Sequence, residues 1–299
     1  MIGMLAALGH ALWLAFAMFW AILWPLILGF TVSAVIQGLV SKQQMARVLG
    51  DDRPVTLAKA CGLGAASSSC SARSVFRKGA NFTAAMAFEL ASTNLVLELT
   101  IIMIVFLGWQ FAVAEFVGAP LMIAGLAVLF RASLSRRLVQ EAAVQADRSV
   151  AGKMEGHADM HMEIPEGTLF QRITSAEGRT TISHYFVMDW VSVWKDVVGG
   201  LLIAGALAAW VPADWWPKVF LTAHPLFARF WGPIIGPIIA ILSFVCSVGN
   251  IPLAAVLWSG GISFGGVIAF IFADLIVLPI LDIYRKYYGA KMMWFILAP

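Results

Sequence analysis

Ser67-Ser-Ser-Cys70-Ser71, followed by Gly79-Ala-Asn-Phe82 and an apolar run through Ala87-Phe88, occurs twice in altered form along this chain. The second copy reads Ser243-Phe-Val-Cys246-Ser247, then Gly261-Ile-Ser-Phe264, then a run through Ala269-Phe270. Gly79 and Gly261 stand 182 residues apart, and Phe82/Phe264, Ala87/Ala269, Phe88/Phe270 and Ala91/Ala273 keep that offset. The Cys-Ser pairs are only 176 apart, so the second copy holds six more residues between its cysteine and its glycine. Short polar residues interrupt both passages where a membrane span should be plainly apolar. Interrupted segments at matching places in two halves point to a solute site at the bilayer midplane of a secondary transporter.

The rest of the chain supplies the membrane. Apolar residues make up 61% and charged residues 12%, with a mean hydropathy of +0.85. A soluble domain is nearer half apolar and a quarter charged, so the reading is a polytopic membrane protein. A formal charge of +3 with its basic residues at loop edges does not predict a nucleic-acid partner. Trp210, Trp215, Trp216 and Trp231 fit an aromatic belt at a membrane surface. No cleavable leader is expected, since the first apolar run is too long and no basic stretch precedes it. Three cysteines make no disulfide framework.

Hydropathy predicts a first span over 10–40 interrupted at Trp24-Pro25, full spans over 82–108 and 111–130, and a partly ordered polar loop over 131–184. A span over 185–210 follows, then an interfacial connection over 215–231 with Pro217 and Pro225. A second interrupted segment runs from Gly232 to Asn250-Ile-Pro252, where proline would restart a helix. A span over 262–281 comes next, with 290–299 too short to cross. The domains expected are a membrane repeat at 1–131, a cytoplasmic polar loop at 132–184, and a second membrane repeat at 185–299 that ends either inside a last helix or in a peripheral segment. With the N-terminus outside and both interrupted segments re-entrant, basic residues at 42–59, 73–78, 131–179 and 285–291 share one side, leaving Lys218 and Arg229 opposite. The positive-inside rule makes that side cytoplasmic. The fold expected is therefore an all-α transmembrane helical bundle of two inverted-topology repeats with re-entrant or broken helical hairpins.

Backbone broken inside hydrocarbon leaves polar groups that only protein or a water-filled cavity can satisfy. The candidate solute-binding residues are accordingly Ser67, Ser68, Ser69, Cys70 and Ser71 in one copy, and Cys246, Ser247 and Asn250 in the other, with Asn94. Helices starting near Ser71 and Asn250 would present free N–H groups to a polar or anionic solute. The same small residues also allow close helix packing. Cys70 and Cys246 could serve as soft ligands for a thiophilic solute, but small apolar filler is the favoured reading of the residues. Carboxyls at Glu89, Glu98, Glu115, Asp189, Asp196, Asp274 and Asp282 lie in or near apolar runs. Glu89 and Asp274 are taken as the coupling or gating pair. Asp274 is the deepest and lies opposite Ser92 by the repeat offset, which fits a proton-coupling group or a helix–helix hydrogen bond. His157, Asp159 and His161 form a weak metal pattern, and a solvated loop is the stronger reading, so no metal site and no cofactor is expected. Nor is any catalytic residue expected: no His-Glu-x-x-His or Walker A motif occurs.

Several stretches resemble one family: Gly64-Ala-Ala-Ser-Ser-Ser-Cys-Ser71, Phe88-Glu-Leu-Ala-Ser-Thr-Asn-Leu-Val-Leu-Glu98, Leu107-Gly-Trp-Gln-Phe111, His184-Tyr-Phe-Val-Met-Asp189, Phe244-Val-Cys-Ser-Val-Gly-Asn-Ile-Pro252, and 260–279. Together they resemble the bacterial predicted permeases, the group that includes the organoarsenical efflux permeases (ArsP-type permeases). The resemblance implies a transporter of the cytoplasmic membrane, with organoarsenicals among its candidate solutes, for which paired cysteines would make chemical sense. The partners expected are a small solute and membrane lipid, with self-association left open. A channel-like pore, or a membrane protein that binds a partner without transport, are the alternatives.

Overall fold

The computed structural model describes residues 2–39, 46–67, 72–77, 79–148, 169–243 and 247–297. In chain order its helices are α1 (Ile2–Leu39), α2 (Pro54–Ala66), α3 (Ala72–Arg77), α4 (Phe82–Asn94), α5 (Leu97–Phe106), α6 (Trp109–Ser133), α7 (Arg136–Arg148) and α8 (Leu169–Thr174). Then come α9 (Ala176–Trp210), α10 (Trp215–Val219), α11 (Pro225–Ser243), α12 (Ser247–Ser259) and α13 (Phe264–Phe272). A 3-10 turn (Ala273–Ile276), α14 (Leu278–Tyr288) and α15 (Ala290–Leu297) complete the order. No strand occurs among the described residues. Among the described residues, five helical stretches are long and apolar enough to cross a bilayer: Leu5–Leu39, Trp109–Ser133, Ala176–Trp210, Pro225–Ser243 and Phe264–Tyr288, and α4 with α5 makes a sixth if that bent pair is one span.

The helices carry their large side chains outward. On α1, Trp13, Phe16, Trp20 and Trp24 are exposed while Ala11 and Ala15 are buried. A helix in water would show the opposite pattern; this one suits hydrocarbon outside and close packing of small residues inside.

Several sequence expectations are corrected. Pro25 lies inside one continuous α1 and does not break it; within a membrane, neighbouring groups can answer the carbonyl that a proline strips of its donor. The polar region is largely helical where described, with α7, α8 and the first turns of α9. In α7, Leu138, Val139, Ala142 and Ala146 recur at helical spacing, so the pattern overlooked in the loop was amphipathic. The connection after α9 contains α10, and α11 begins at Pro225 and runs unbroken through Pro233 and Pro237. The span expected over 82–108 is two helices bent by 41°.

Two compact units interleave along the chain. One comprises Met1–Ile27, Glu98–Phe116 and Val193–Ile280; the other comprises Leu28–Leu97, Val117–Ser192 and Leu281–Pro299. Within the first, a Cβ on Gly205 would stand 2.6 Å from the Ala11 carbonyl oxygen, and the Trp210 indole N–H donates to the Ala7 carbonyl at 3.2 Å. Close approach again joins α11 to α13: a Cβ on Gly266 would meet the Gly232 Cα at 2.8 Å. Phe111 packs its ring on Trp258 at 5.1 Å and on Phe264 at 4.6 Å, fixing the start of α6 against α12 and α13.

Within the second unit, Gly64 brings α2 onto α4, where a Cβ would stand 2.6 Å from the Ala91 Cβ and 2.7 Å from the Phe88 carbonyl oxygen. Edge-to-face rings of Phe76, Phe82 and Tyr288 close the same unit. Gln37 donates from Nε2 to Ser33 Oγ at 2.9 Å and to Asp189 Oδ2 at 3.1 Å, tying α1 to α9. Outside the spans, Lys291 and Arg137 both bond the Glu141 carboxylate, at 3.0 Å and 3.1 Å, and hold it below the usual carboxylate range. The Thr56 hydroxyl and the Arg53 N–H do the same for Asp51.

Candidate functional site

The repeated passage folds alike in both places. Gly79 has φ +101° and Gly261 φ +95°. Gly79 N–H donates to the Phe76 carbonyl at 2.9 Å and Ala80 N–H to the Val75 carbonyl at 3.2 Å. Their counterparts 182 residues on do the same: Gly261 N–H donates to Trp258 at 3.0 Å and Ile262 N–H to Leu257 at 3.2 Å. This paired bonding at a left-handed glycine is the Schellman ending of a helix. Both passages then start a new helix on a side-chain cap. Asn81 Oδ1 accepts from the Thr83 and Ala84 N–H groups, and Ser263 Oγ accepts from the Gly266 N–H. The second copy is longer here in helix, with 13 residues in α12 against the 6 described in α3.

Each capped helix ends at a break, and local chemistry explains both. In α4, Ser92 Oγ donates to the Glu89 carbonyl, Thr93 Oγ1 to Glu89 and Leu90, and Asn94 Nδ2 to Leu90. Side chains that bond back one turn compete with the backbone ladder and bend a helix. In the second copy Pro279 follows two residues after the extended Val277. Its ring would clash with the Leu275 carbonyl of an unbroken helix, and it has no N–H to donate.

The polar cluster of the first unit gathers at the second break. Asp274, 3% exposed in the 3-10 turn, accepts on Oδ2 a hydrogen bond from the Ser247 hydroxyl at the start of α12. Asn250, one turn further along α12, is 0% exposed, and among the described residues neither its amide oxygen nor its amide nitrogen has a hydrogen-bond partner. Buried amides are ordinarily hydrogen-bonded, so a wholly unanswered one is a place for a polar ligand or water. Glu115 on α6, 2% exposed, likewise has neither carboxyl oxygen hydrogen-bonded among the described residues. The described helix already includes Ser247, so it does not restart at Asn250-Ile-Pro252 as the sequence reading had it. Pro252 sits within α12 and removes the N–H that would have answered the Val248 carbonyl.

The first-copy candidates belong to the other unit. Ser67 is buried at the C-terminal cap of α2, its N–H donating to the Gly64 carbonyl at 3.0 Å. Glu89 and Asn94 are buried on α4, where Asn94 bonds Leu90 and the Thr93 hydroxyl. Ser68, Ser69, Cys70, Ser71 and Cys246 lie outside the described residues, as does the His157, Asp159 and His161 pattern. Among the described residues no group of three or more His, Cys, Asp or Glu could hold a metal ion. Lys195 and Asp196 are exposed, and Lys195 Nζ lies 5.7 Å from the centre of the Trp194 ring. A separate cavity of about 380 Å³ in the first unit, lined by residues such as Met18, Trp216 and Val256, contains no titratable side chain. Sequence reasoning named Glu115 among the carboxyls in apolar runs but did not choose it as a site residue, although it is the sole charge between Trp109 and Phe130.

Comparison with known proteins puts this arrangement in a family. The sequence profile described as "Predicted permease" matches residues 7–298. The chain belongs to the predicted permease family. A Mycobacterium tuberculosis (strain ATCC 25618 / H37Rv) protein named "Putative permease Rv2963" is 62% identical to it over 267 residues, 87% of this permease. The aligned region is 66% of that relative, so the chain spans just under two thirds of the relative's length. No solved structure matches. Family and apolar helices together make the permease a multi-pass membrane protein.

Proposed function

We propose that this permease is a secondary transporter that moves a small polar or thiophilic solute across the cytoplasmic membrane by alternating access. Its two copies of the interrupted passage are read as inverted repeats, the long polar region lies on the cytoplasmic side, and a proton gradient supplies the energy. The observation that carries the reading is Asn250: wholly buried, unanswered at both amide atoms among the described residues, and one turn from the Ser247–Asp274 hydrogen bond. A closed structural core has no use for such a group, because leaving it unpaired costs roughly 1–3 kcal/mol. A solute that brings its own donor and acceptor removes that cost. The broken helices support the same reading, since exposed main-chain groups at membrane depth belong beside a cavity.

Uptake into everted vesicles, against a panel of trivalent organoarsenicals, inorganic oxyanions and small thiols, tests this. Saturable accumulation against a gradient is expected for one class. Asn250→Ala should raise the half-saturating concentration, and Asp274→Asn should reduce uphill movement to background. Flux that never saturates and survives Asp274→Asn is channel behaviour and defeats the proposal. Cys70→Ser and Cys246→Ser, assayed alongside, decide whether thiols hold the solute.

A further inference from the structure

Lys195 and Asp196 have no role in the account above. They are neighbours of opposite charge on α9, both exposed, on a helix long and apolar enough to cross the membrane. Trp210 closes α9 15 residues beyond Lys195, about 22 Å at 1.5 Å per residue. With that end at the headgroups, both charges stand within a hydrocarbon core about 30 Å thick. They do not neutralise each other: successive side chains on a helix point about 100° apart, and among the described residues neither forms an ion pair. Lys195 has a way out, because its long stem lays Nζ 5.7 Å from the centre of the Trp194 ring and can carry the charge towards water. Asp196 has a single methylene and cannot do so, and a carboxylate facing lipid is expensive. Something polar therefore covers this face. Its shape suits another helix. Val191, Trp194, Val198 and Leu202 are exposed around Lys195, while Val197, Leu201 and Ala204 are buried on the opposite side. Gly199, four residues after Lys195 and three after Asp196, shares a face with both, and a Cβ there would meet no atom within 4 Å. Open space over a glycine lets a second backbone come close.

We propose that this face of α9 is the contact between two copies of the permease, with Lys195 of each copy paired to Asp196 of the other. Copies in one bilayer share an orientation, so a two-fold axis between them runs along the membrane normal and brings equal depths together. Lys195 and Asp196 differ by one residue, a rise of about 1.5 Å, so the axis sets each against the charge it needs. The contact is self-complementary, as a two-fold interface must be: one helix face supplies both signs. Gly199 gives the two helices room to approach over the paired charges. The contact stands apart from the transporter reading, since it needs no solute and no coupling ion.

Energy transfer between labelled copies tests the contact. Full-length permease carrying a donor or an acceptor fluorophore at one terminus is reconstituted in phosphatidylcholine liposomes at falling protein-to-lipid ratios. Wild-type copies should transfer above the level of random proximity even at high dilution. Lys195→Glu makes the face doubly acidic and Asp196→Lys makes it doubly basic, so each variant alone should fall to the random level. Donor-labelled Lys195→Glu mixed with acceptor-labelled Asp196→Lys should recover transfer, because both cross pairs are then opposite in sign. The exchange of Lys195→Asp with Asp196→Lys in one chain should pair as the wild type does, and Gly199→Leu should lower transfer with both charges intact. Far-ultraviolet circular dichroism of each variant separates lost pairing from lost folding. Random-level transfer by the wild type overturns the proposal. Wild-type transfer by either single variant also overturns it, because the contact would then lie elsewhere. A mixture of folded variants that fails to recover does the same, since the charges would then serve something other than a second copy.

Discussion

The α2–α4 passage and the α11–α13 passage share a frame and differ in what they do with it. Both end a short helix in a Schellman turn, cap the next on a side chain, and break that helix at the same offset. At the break, however, one has Ser92, Thr93 and Asn94 bonded back onto their own helix, while the other has Asp274 bonded across to α12. The first copy spends its polar groups locally; the second points them at a neighbour. Backbone architecture and chemistry have therefore separated: shared turns do not mean shared roles.

Glycine contacts should break the likeness most severely. Gly64→Ala would drive its Cβ into the Ala91 Cβ and the Phe88 carbonyl, and Gly266→Ala into the Ile262 side chain and the Gly232 backbone. Each is expected to cost about 2–3 kcal/mol, read as a lowered thermal midpoint in detergent. Gly62→Ala, with nothing within 4 Å, should instead be neutral or gain up to about 1 kcal/mol from helix propensity. Equal values for Gly62 and Gly64 would show that packing does not hold α2 on α4.

The left-handed glycines come next. Gly79→Ala should cost about 1–2 kcal/mol from its φ alone, because no other atom lies within 4 Å of the new Cβ. Gly261→Ala should cost more, since its Cβ would also press on Thr222 Cγ2 at 3.0 Å. The caps should reverse that order by a smaller margin. Asn81→Ala forfeits two accepted N–H bonds and Ser263→Ala one, each loss worth on the order of 1 kcal/mol. If both pairs of variants rank the same way, the copies differ in overall rigidity and not at these individual atoms.

Much of this frame was legible in the sequence. The 182-residue offset located Gly79/Gly261 and Phe82/Phe264, and these became the paired Schellman turns and helix starts. Asp274 was legible too, because charge inside an apolar run is rare. What was not legible depended on competition between neighbours. The break after Asn94 comes from side chains turning back on their own carbonyls, which hydropathy counts as mild polarity. That α12 already includes Ser247 was hidden by Pro252, a residue that marks a helix start as readily as it sits within one. Glu115 was visible as a lone charge, but only folding showed it buried with neither carboxyl oxygen bonded among the described residues.

The outward tryptophans of α1 turn the permease into its own depth gauge. Trp13, Trp20 and Trp24 stand at steps of seven and four residues along one helix, which at 1.5 Å per residue is about 10 Å and 6 Å. In variants that keep one of these indoles as the sole tryptophan, lipids brominated at successive carbons would quench it according to its depth, reporting the tilt and immersion of α1.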